Sequence, residues 1–185
     1  MEKLGLCFLI YDAITYEDLW HSWLQGVARG KYEVFVHYKR PVRLEHFECN
    51  KLDHCVPTSW GKTVCAMQLL FRRALQEGCT RMLMLSGSCV PLKSFNHVYD
   101  AITSDRRCRF HVTPRQEGVF PRAAVALRTY SRGAIQKASQ WCILNHRVAA
   151  AVCAIPSAKI EAAWGACECA DEHFYISEVC RQGLQ

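Results

Sequence analysis

Leu4-Gly5-Leu6-Cys7-Phe8-Leu9-Ile10 is a continuous apolar run of strand length, close to the start of the chain. Tyr11 to Ile14 read as the loop that follows it. Thr15 then suits a helix N-cap, with Asp18 three residues on as a weak form of the capping-box acid. Leu19, Trp20, Trp23, Leu24 and Val27 recur at helical spacing, and Gly30 ends the helix. Tyr-Glu-Val-Phe-Val-His, Tyr32 to His37, is a second strand. The first forty residues thus predict strand, helix, strand, which is a parallel βαβ unit.

The same alternation continues outward. Residues 39–57 are polar and mixed, a long loop. Thr58 or Ser59 is expected to cap a strong helix through Val64, Met67, Leu70, Phe71 and Ala74, stopped by Gly78. Arg81 to Ser86 is a third buried strand. Pro91 marks a turn, and Ser94 caps a short helix through Phe95, Val98, Tyr99 and Ile102. Arg107 to Val112 is expected as a fourth strand. Periodicity fades from Thr113 to Arg132, which reads as a long functional loop. Ser139 to Ile143 is a strand entering a helix from Leu144 to Ala154, broken by Pro156, and a last helix is expected from Asp171. Strands alternating with helices predict an α/β fold with a mainly parallel sheet flanked by helices, in one domain over residues 1–185. Ligands of such sheets sit beyond the carboxyl ends of the strands. Here those ends are Ile10 to Asp12, His37 to Lys39 and Ser86 to Ser88.

Composition narrows the classes. Half of the 185 residues are apolar and 22% are charged, which excludes a disordered or low-complexity chain. A net charge of +6 suits an anionic ligand, but it is too mild and too scattered to point to nucleic acid. Twelve cysteines are many. Cys7, Cys65 and Cys89 sit in apolar runs and read as small buried hydrophobes. No CxxC pair suggests zinc, while Cys167 with Cys169, or Cys49 with Cys55, are the pairs an oxidising compartment would join. The opening apolar run is too short for a signal peptide or a membrane span. The expectation is a cytoplasmic protein if the chain is whole, and a lumenal one if an anchor has been removed.

Two apparent motifs fail on their own chemistry. Gly61-Lys62-Thr63 lacks the glycine five residues earlier that a phosphate-binding loop needs, since position 56 is Val, and Pro57 removes an amide. His54-Cys55 lacks the arginine six residues later that would hold a phosphate. The eight histidines show no HExxH and no ligand cluster, and Asp-x-Asp, the pair with which many sugar-nucleotide enzymes hold a divalent metal, is absent.

Four segments together carry a resemblance. They are Phe8-Leu9-Ile10 with the Trp20 and Trp23 helix and Val34-Phe35-Val36-His37; Ser59-Trp60-Gly61 opening a helix; Leu83-Met84-Leu85-Ser86-Gly87-Ser88-Cys89-Val90-Pro91-Leu92 followed by Phe95 and Val98-Tyr99; and Ser139-Gln140-Trp141, Asn145-His146-Arg147 and Asp171-Glu172-His173-Phe174-Tyr175. In order and spacing they resemble the core 2/I-branching glycosyltransferase family (glycosyltransferase family 14), especially its plant and microbial branch, over nearly the whole chain. The resemblance implies a glycosyltransferase A fold, with a nucleotide-binding half at about 1–112 and an acceptor and catalytic half at about 113–185. It implies inverting transfer from a UDP-sugar to a glycan hydroxyl, with no metal or other cofactor; from the sequence itself, neither a nucleic acid partner nor a membrane anchor in this chain is expected. Relatives in plants and animals are Golgi membrane proteins, so a chain cut from its anchor would belong to the Golgi lumen.

Site residues follow from the same resemblance. Glu172 is the expected general base. Ile10, Tyr11, Asp12, His37, Ser86, Gly87 and Ser88 are expected around the donor, and Gln140, Trp141 and Asp171 on the acceptor side. Read without it, Asp171 would cap the last helix and Glu172 would lie in its first turn, complementing the macrodipole. His37 would be a surface residue at a strand end, and Trp60 would pack the helix on the sheet or line the pocket. The family places a basic pair beyond the Asp-Glu segment to receive the departing diphosphate. This sequence ends at Gln185, so the expectation is either a chain cut short of that pair or substitution by another base, with Arg115, Arg122 and Arg128, and further Arg132 and Lys137, as candidates; solvated loop charges are the alternative.

Overall fold

The computed structural model describes residues 1–114 and 122–184. Five strands form one sheet in the order β2-β1-β3-β5-β4, with β1 at Leu4–Ile10, β2 at Tyr32–Tyr38, β3 at Arg81–Ser86, β4 at Arg109–Val112 and β5 at Ala138–Asn145. β1 pairs parallel with both β2 and β3, while β5 runs antiparallel to β3 and to β4. Four strands therefore point one way and β5 points back. β4 and β5 lie on either side of the 112/113 division and pair with each other.

Among the described residues six α-helices cover the sheet: α1 Glu17–Leu24, α2 Val64–Gln76, α3 Phe95–Thr103, α4 His146–Cys153, α5 Ser157–Trp164 and α6 Phe174–Arg181. Alternation along the strands sorts the core into two layers. Leu4, Leu6, Phe8 and Ile10 face Trp20 and Leu24 of α1 and Phe95 and Ile102 of α3. Cys7, Phe35, Met82 and Met84 face Met67, Leu70 and Phe71 of α2, with α4 and α6 beyond. The chain leaves β1 through α1 to reach β2, and leaves β2 through α2, on the opposite face, to reach β3. That reversal makes the carboxyl ends of β1 and β3 the sheet's switch point.

Local sequence rules set several boundaries and tertiary contacts move others. Strands Leu4–Ile10 and Arg81–Ser86 fall as predicted, and Ser94 caps α3 by accepting from the His97 amide. Thr15 does not cap α1: its amide donates to the Gly87 carbonyl at 2.7 Å, and α1 begins two residues on, at Glu17 behind Tyr16. It stops at Leu24, six residues before Gly30, where Gln25 turns to extended backbone with ψ 135°. Neither Thr58 nor Ser59 caps α2. Ser59 to Lys62 close a turn, with the Lys62 amide on the Ser59 carbonyl at 3.0 Å, and the helix starts at Val64. Asp105 holds the Arg107 amide at 2.9 Å, so β4 begins at Arg109. Asn145 caps α4 through its side chain, so β5 outruns its expected end. Pro156 ends that helix and opens α5, which periodicity did not predict.

All twelve cysteines are free thiols, including Cys167, Cys169, Cys49 and Cys55. Burial pushes several up, Cys79 to about 12 and Cys153 to about 11. Cys7 is fully buried, as expected, whereas Cys65 and Cys89 are only partly so.

Candidate functional site

The carboxyl ends of β1 and β3 meet through their loops. Thr15 donates to Gly87, and a Cβ on Gly87 would lie 2.2 Å from the Ala13 carbonyl oxygen, so only glycine fits at this contact. Ile10 is buried, while Tyr11 and Asp12 are exposed in the turn. Ser86 and Gly87 are partly exposed and Ser88 is exposed, with the Ser86 and Ser88 hydroxyls 3.2 Å apart. The amides of Lys39 and Arg40, after β2, both donate to the Tyr11 carbonyl, and their cationic ends sit 5.3 and 4.9 Å from the Tyr11 ring. Two fixed cations therefore flank the expected donor residues. The sequence reading assigned them no role, since only the meeting of β1 and β2 brings them to Tyr11.

His37 is not a surface residue. It is fully buried, and its Nε2 accepts the Val56 amide at 3.0 Å. That leaves the proton on Nδ1, and burial holds its pKa below the usual histidine range. His37 anchors the loop beneath the edge of the sheet.

A second group lies at the same edge, because β5 is reversed. Register pairs Leu83 with Ile143 and Val112 with Ala138, so the start of β5 falls beside the ends of β3 and β4. Lys137 directly precedes that start, and its ammonium lies 3.2 Å from the Glu172 carboxylate, each side chain about one-third exposed. Asp171 behaves differently. It is 5% exposed, and its Oδ2 accepts the Thr63 hydroxyl at 2.7 Å. With its single proton given to Asp171, the Thr63 oxygen accepts from Gln140 Nε2 at 3.3 Å. Burial pushes the Asp171 carboxyl up, and the neighbouring Glu172 charge adds to this. Neither acid caps a helix: Ala170–Glu172 form a 3₁₀ turn and α6 begins at Phe174. His173, also buried, donates Nδ1–H to the Gln136 carbonyl at 2.8 Å, which ties the turn to the chain entering β5.

The Ser59-Trp60-Gly61 turn supports the acids from below. Gly61 has φ +72°, and a Cβ there would stand 2.1 Å from the Glu168 carbonyl oxygen. The Asp171 amide approaches the Gly61 carbonyl at 3.5 Å. Trp60 does not pack on the sheet; it is 81% exposed at the tip of the turn.

The structure thus brings Gln140, Asp171, Glu172 and Lys137 together and adds Thr63, which the sequence offered only as the tail of a discarded phosphate loop. It separates Trp141 from Gln140, since successive strand residues face opposite sides. Gln140 shares the α2 face with Cys142 and Leu144, and Trp141, 48% exposed, shares the other with Ile143. Asp171 is buried beside Glu172, with its carboxylate held by Thr63. Arg122 is exposed and lies 3.2 Å from Glu168, Arg128 is exposed at the end of the 124–128 turn, and Arg115 lies outside the described residues. One ligand-type cluster escaped the sequence reading. Asp18, Glu45 and His46 place their polar atoms within 4.8 Å of one another, with His46 Nε2 2.7 Å from Asp18. They form a largely exposed polar group between Asp18 on α1 and Glu45 and His46 in the loop after β2, with Asp18 and His46 28 residues apart in sequence. No described helix is long and apolar enough to cross a membrane.

The chain is 25% identical over 172 residues to Glycosyltransferase BC10 of Oryza sativa subsp. japonica, covering 81% of this chain and 40% of the rice protein. It therefore spans about two fifths of the curated relative it matches. The family model described as Core-2/I-Branching enzyme matches residues 6–182, from β1 through α6. This match, over most of the chain, means that the chain belongs to the Core-2/I-Branching enzyme family.

Proposed function

We propose that this chain is the working domain of an inverting glycosyltransferase, which moves a sugar, N-acetylglucosamine or xylose, from UDP to a hydroxyl of a glycan. One observation carries the reading: Glu172 stands at the carboxyl edge of the sheet with its carboxylate accessible and oriented by Lys137. A pair so exposed is worth about 1 kcal/mol or less to the fold, so it positions the carboxylate more than it stabilises the protein.

Transfer is then one in-line displacement. The acceptor oxygen forms a bond to the anomeric carbon as the bond from that carbon to the diphosphate oxygen breaks, with inversion. Glu172 takes the hydroxyl proton as attack proceeds. The leaving diphosphate gains charge, and cationic side chains receive it. Lys137 stands beside the base, and Lys39 and Arg40 flank Tyr11 on the donor side. Of the loop arginines, Arg122 is already matched by Glu168 and is the weaker candidate. The absence of Asp-x-Asp from the sequence supports a reaction that needs no metal ion. On this reading the protein works where nucleotide sugars and glycans meet, the Golgi lumen for a chain carried there by an anchor.

A panel of UDP-sugars tests the reading, with thermal shift for binding and UDP release for turnover. The expected result is one preferred donor, stabilisation by UDP, and slow UDP release that chelator leaves unchanged. Binding without release in the presence of any acceptor would identify an inactive sugar-nucleotide module. No binding of any nucleotide would overturn the assignment.

A further inference from the structure

The amino end of the sheet carries a second concave site that glycosyl transfer does not use. A cavity of about 490 Å³ opens there, lined by Arg81 at the start of β3, Arg106 and Arg107 ahead of β4, and His146 and Arg147 at the start of α4, with Glu2 the acid among them. β3 separates it from the candidate active site, roughly 17–20 Å for six residues.

The charges in this cavity do not balance. Glu2 is already engaged, accepting from the Thr80 hydroxyl and lying 3.9 Å from Arg81. Arg107 is matched by Asp105 at 3.2 Å. Arg106 and Arg147 are exposed, and no acid among the described residues lies within ion-pair distance of either. Arg81 is the most constrained. Its side chain is 4% exposed, and Nε and Nη2 donate to the carbonyls of Ile102 and Asp105, while Nη1 makes no hydrogen bond among the described residues. A guanidinium stays charged at any ordinary pH, so this charge is held largely out of water opposite a distant partner. The first turn of α4 adds to the excess, with His146 and Arg147 at its positive end and no acid there. The buried Arg81 and the acid-free first turn of α4 both depart from the ordinary rules of charge placement at one cavity, and such departures concentrate at binding sites.

We propose that this cavity binds a phosphate-class oxyanion, with Arg106 and Arg147 closing on its oxygens and Arg81 beneath them. Paired guanidinium groups match the planar, bidentate geometry of phosphate oxygens. The volume falls in the range of small-molecule sites, which leaves room for the organic group that carries the phosphate. The site does not depend on the reading of the other edge.

Titration of the full chain with sodium phosphate, sodium pyrophosphate and glucose 6-phosphate tests this, by thermal shift and calorimetry at constant ionic strength held with sodium chloride. A saturable stabilisation beyond the chloride control is expected. Stronger binding of the two inorganic ions would indicate free phosphate as the ligand, and stronger binding of the ester a phosphorylated metabolite. The Arg106→Gln, Arg147→Gln double variant, altered only at exposed positions, should fold normally and bind about tenfold or more weakly. Lys159→Gln, exposed on α5 and outside both sites, should bind as the parent does. A shift no larger than that of chloride, or one that survives in the double variant, overturns the proposal.

Discussion

Two adjoining regions of the same sheet edge are built in opposite ways. On the donor side, the loops after β1 and β3 are locked by Gly87, where a Cβ would meet the Ala13 carbonyl at 2.2 Å. On the acid side, the turn Glu168–Glu172 is locked by Gly61, where a Cβ would meet the Glu168 carbonyl at 2.1 Å. The steric device is the same, but the partners differ. The donor loops join consecutive strands of a doubly wound sheet and hold few charged groups. The acid turn is carried to the edge from the far end of the chain and delivers two carboxylates of different character. Asp171 is buried and raised, held by Thr63, whereas Glu172 is accessible and paired with Lys137. Neighbouring acids with separated environments are the arrangement in which one braces and the other acts.

The sharpest way to break this comparison is Glu172→Gln. It should lower UDP release and transfer by about 10²–10⁴-fold, with UDP affinity and melting temperature unchanged, as steady-state kinetics and thermal shift would show. The next largest effect separates the two glycines. Gly61→Ala and Gly87→Ala should each cost about 2–4 kcal/mol in denaturant unfolding, since backbone must move in both. Among the molecules that remain folded, Gly61→Ala should lose turnover while binding UDP, and Gly87→Ala should weaken UDP itself.

Lys137→Gln should have a smaller effect. The carboxylate loses its orienting cation, and turnover should fall on the order of tenfold, with stability changed by about 1 kcal/mol or less. The smallest effect belongs to Asp171→Asn. A carboxyl whose pKa is raised on folding binds more protons folded than unfolded, so it favours the fold at low pH and that contribution is lost as pH rises through the raised value. Asparagine still accepts from Thr63 and carries no charge. Its melting temperature should therefore exceed the parent's by roughly 2–4 °C at neutral pH, and the gap should close on acidification.

The donor side was legible because its determinants are local. The apolar run Leu4–Ile10, the strand Arg81–Ser86 and the Ser94 cap follow from neighbouring residues alone. The acid side was legible as residue types and not as geometry. Asp171 and Glu172 read as helix-end acids because nothing nearby in sequence shows that Thr63, 108 residues away, claims the Asp171 side chain. The same holds for the reversed β5, which places Lys137 and Gln140 at an edge a wholly parallel sheet would have denied them. Trp60 departs from one of its two readings for a related reason: indole size suggests packing on the sheet, yet the ring lies in the open, while Trp141, expected on the acceptor side, is half-exposed.

The most direct test of Glu172 as the base is a structure of the protein with an unreactive analogue of its preferred UDP-sugar and an acceptor glycan. The account predicts the reactive hydroxyl within about 2.6–3.2 Å of a Glu172 carboxylate oxygen, on the side of the anomeric carbon away from the diphosphate. A hydroxyl turned toward a different acid, with Glu172 still closed on Lys137, would contradict it.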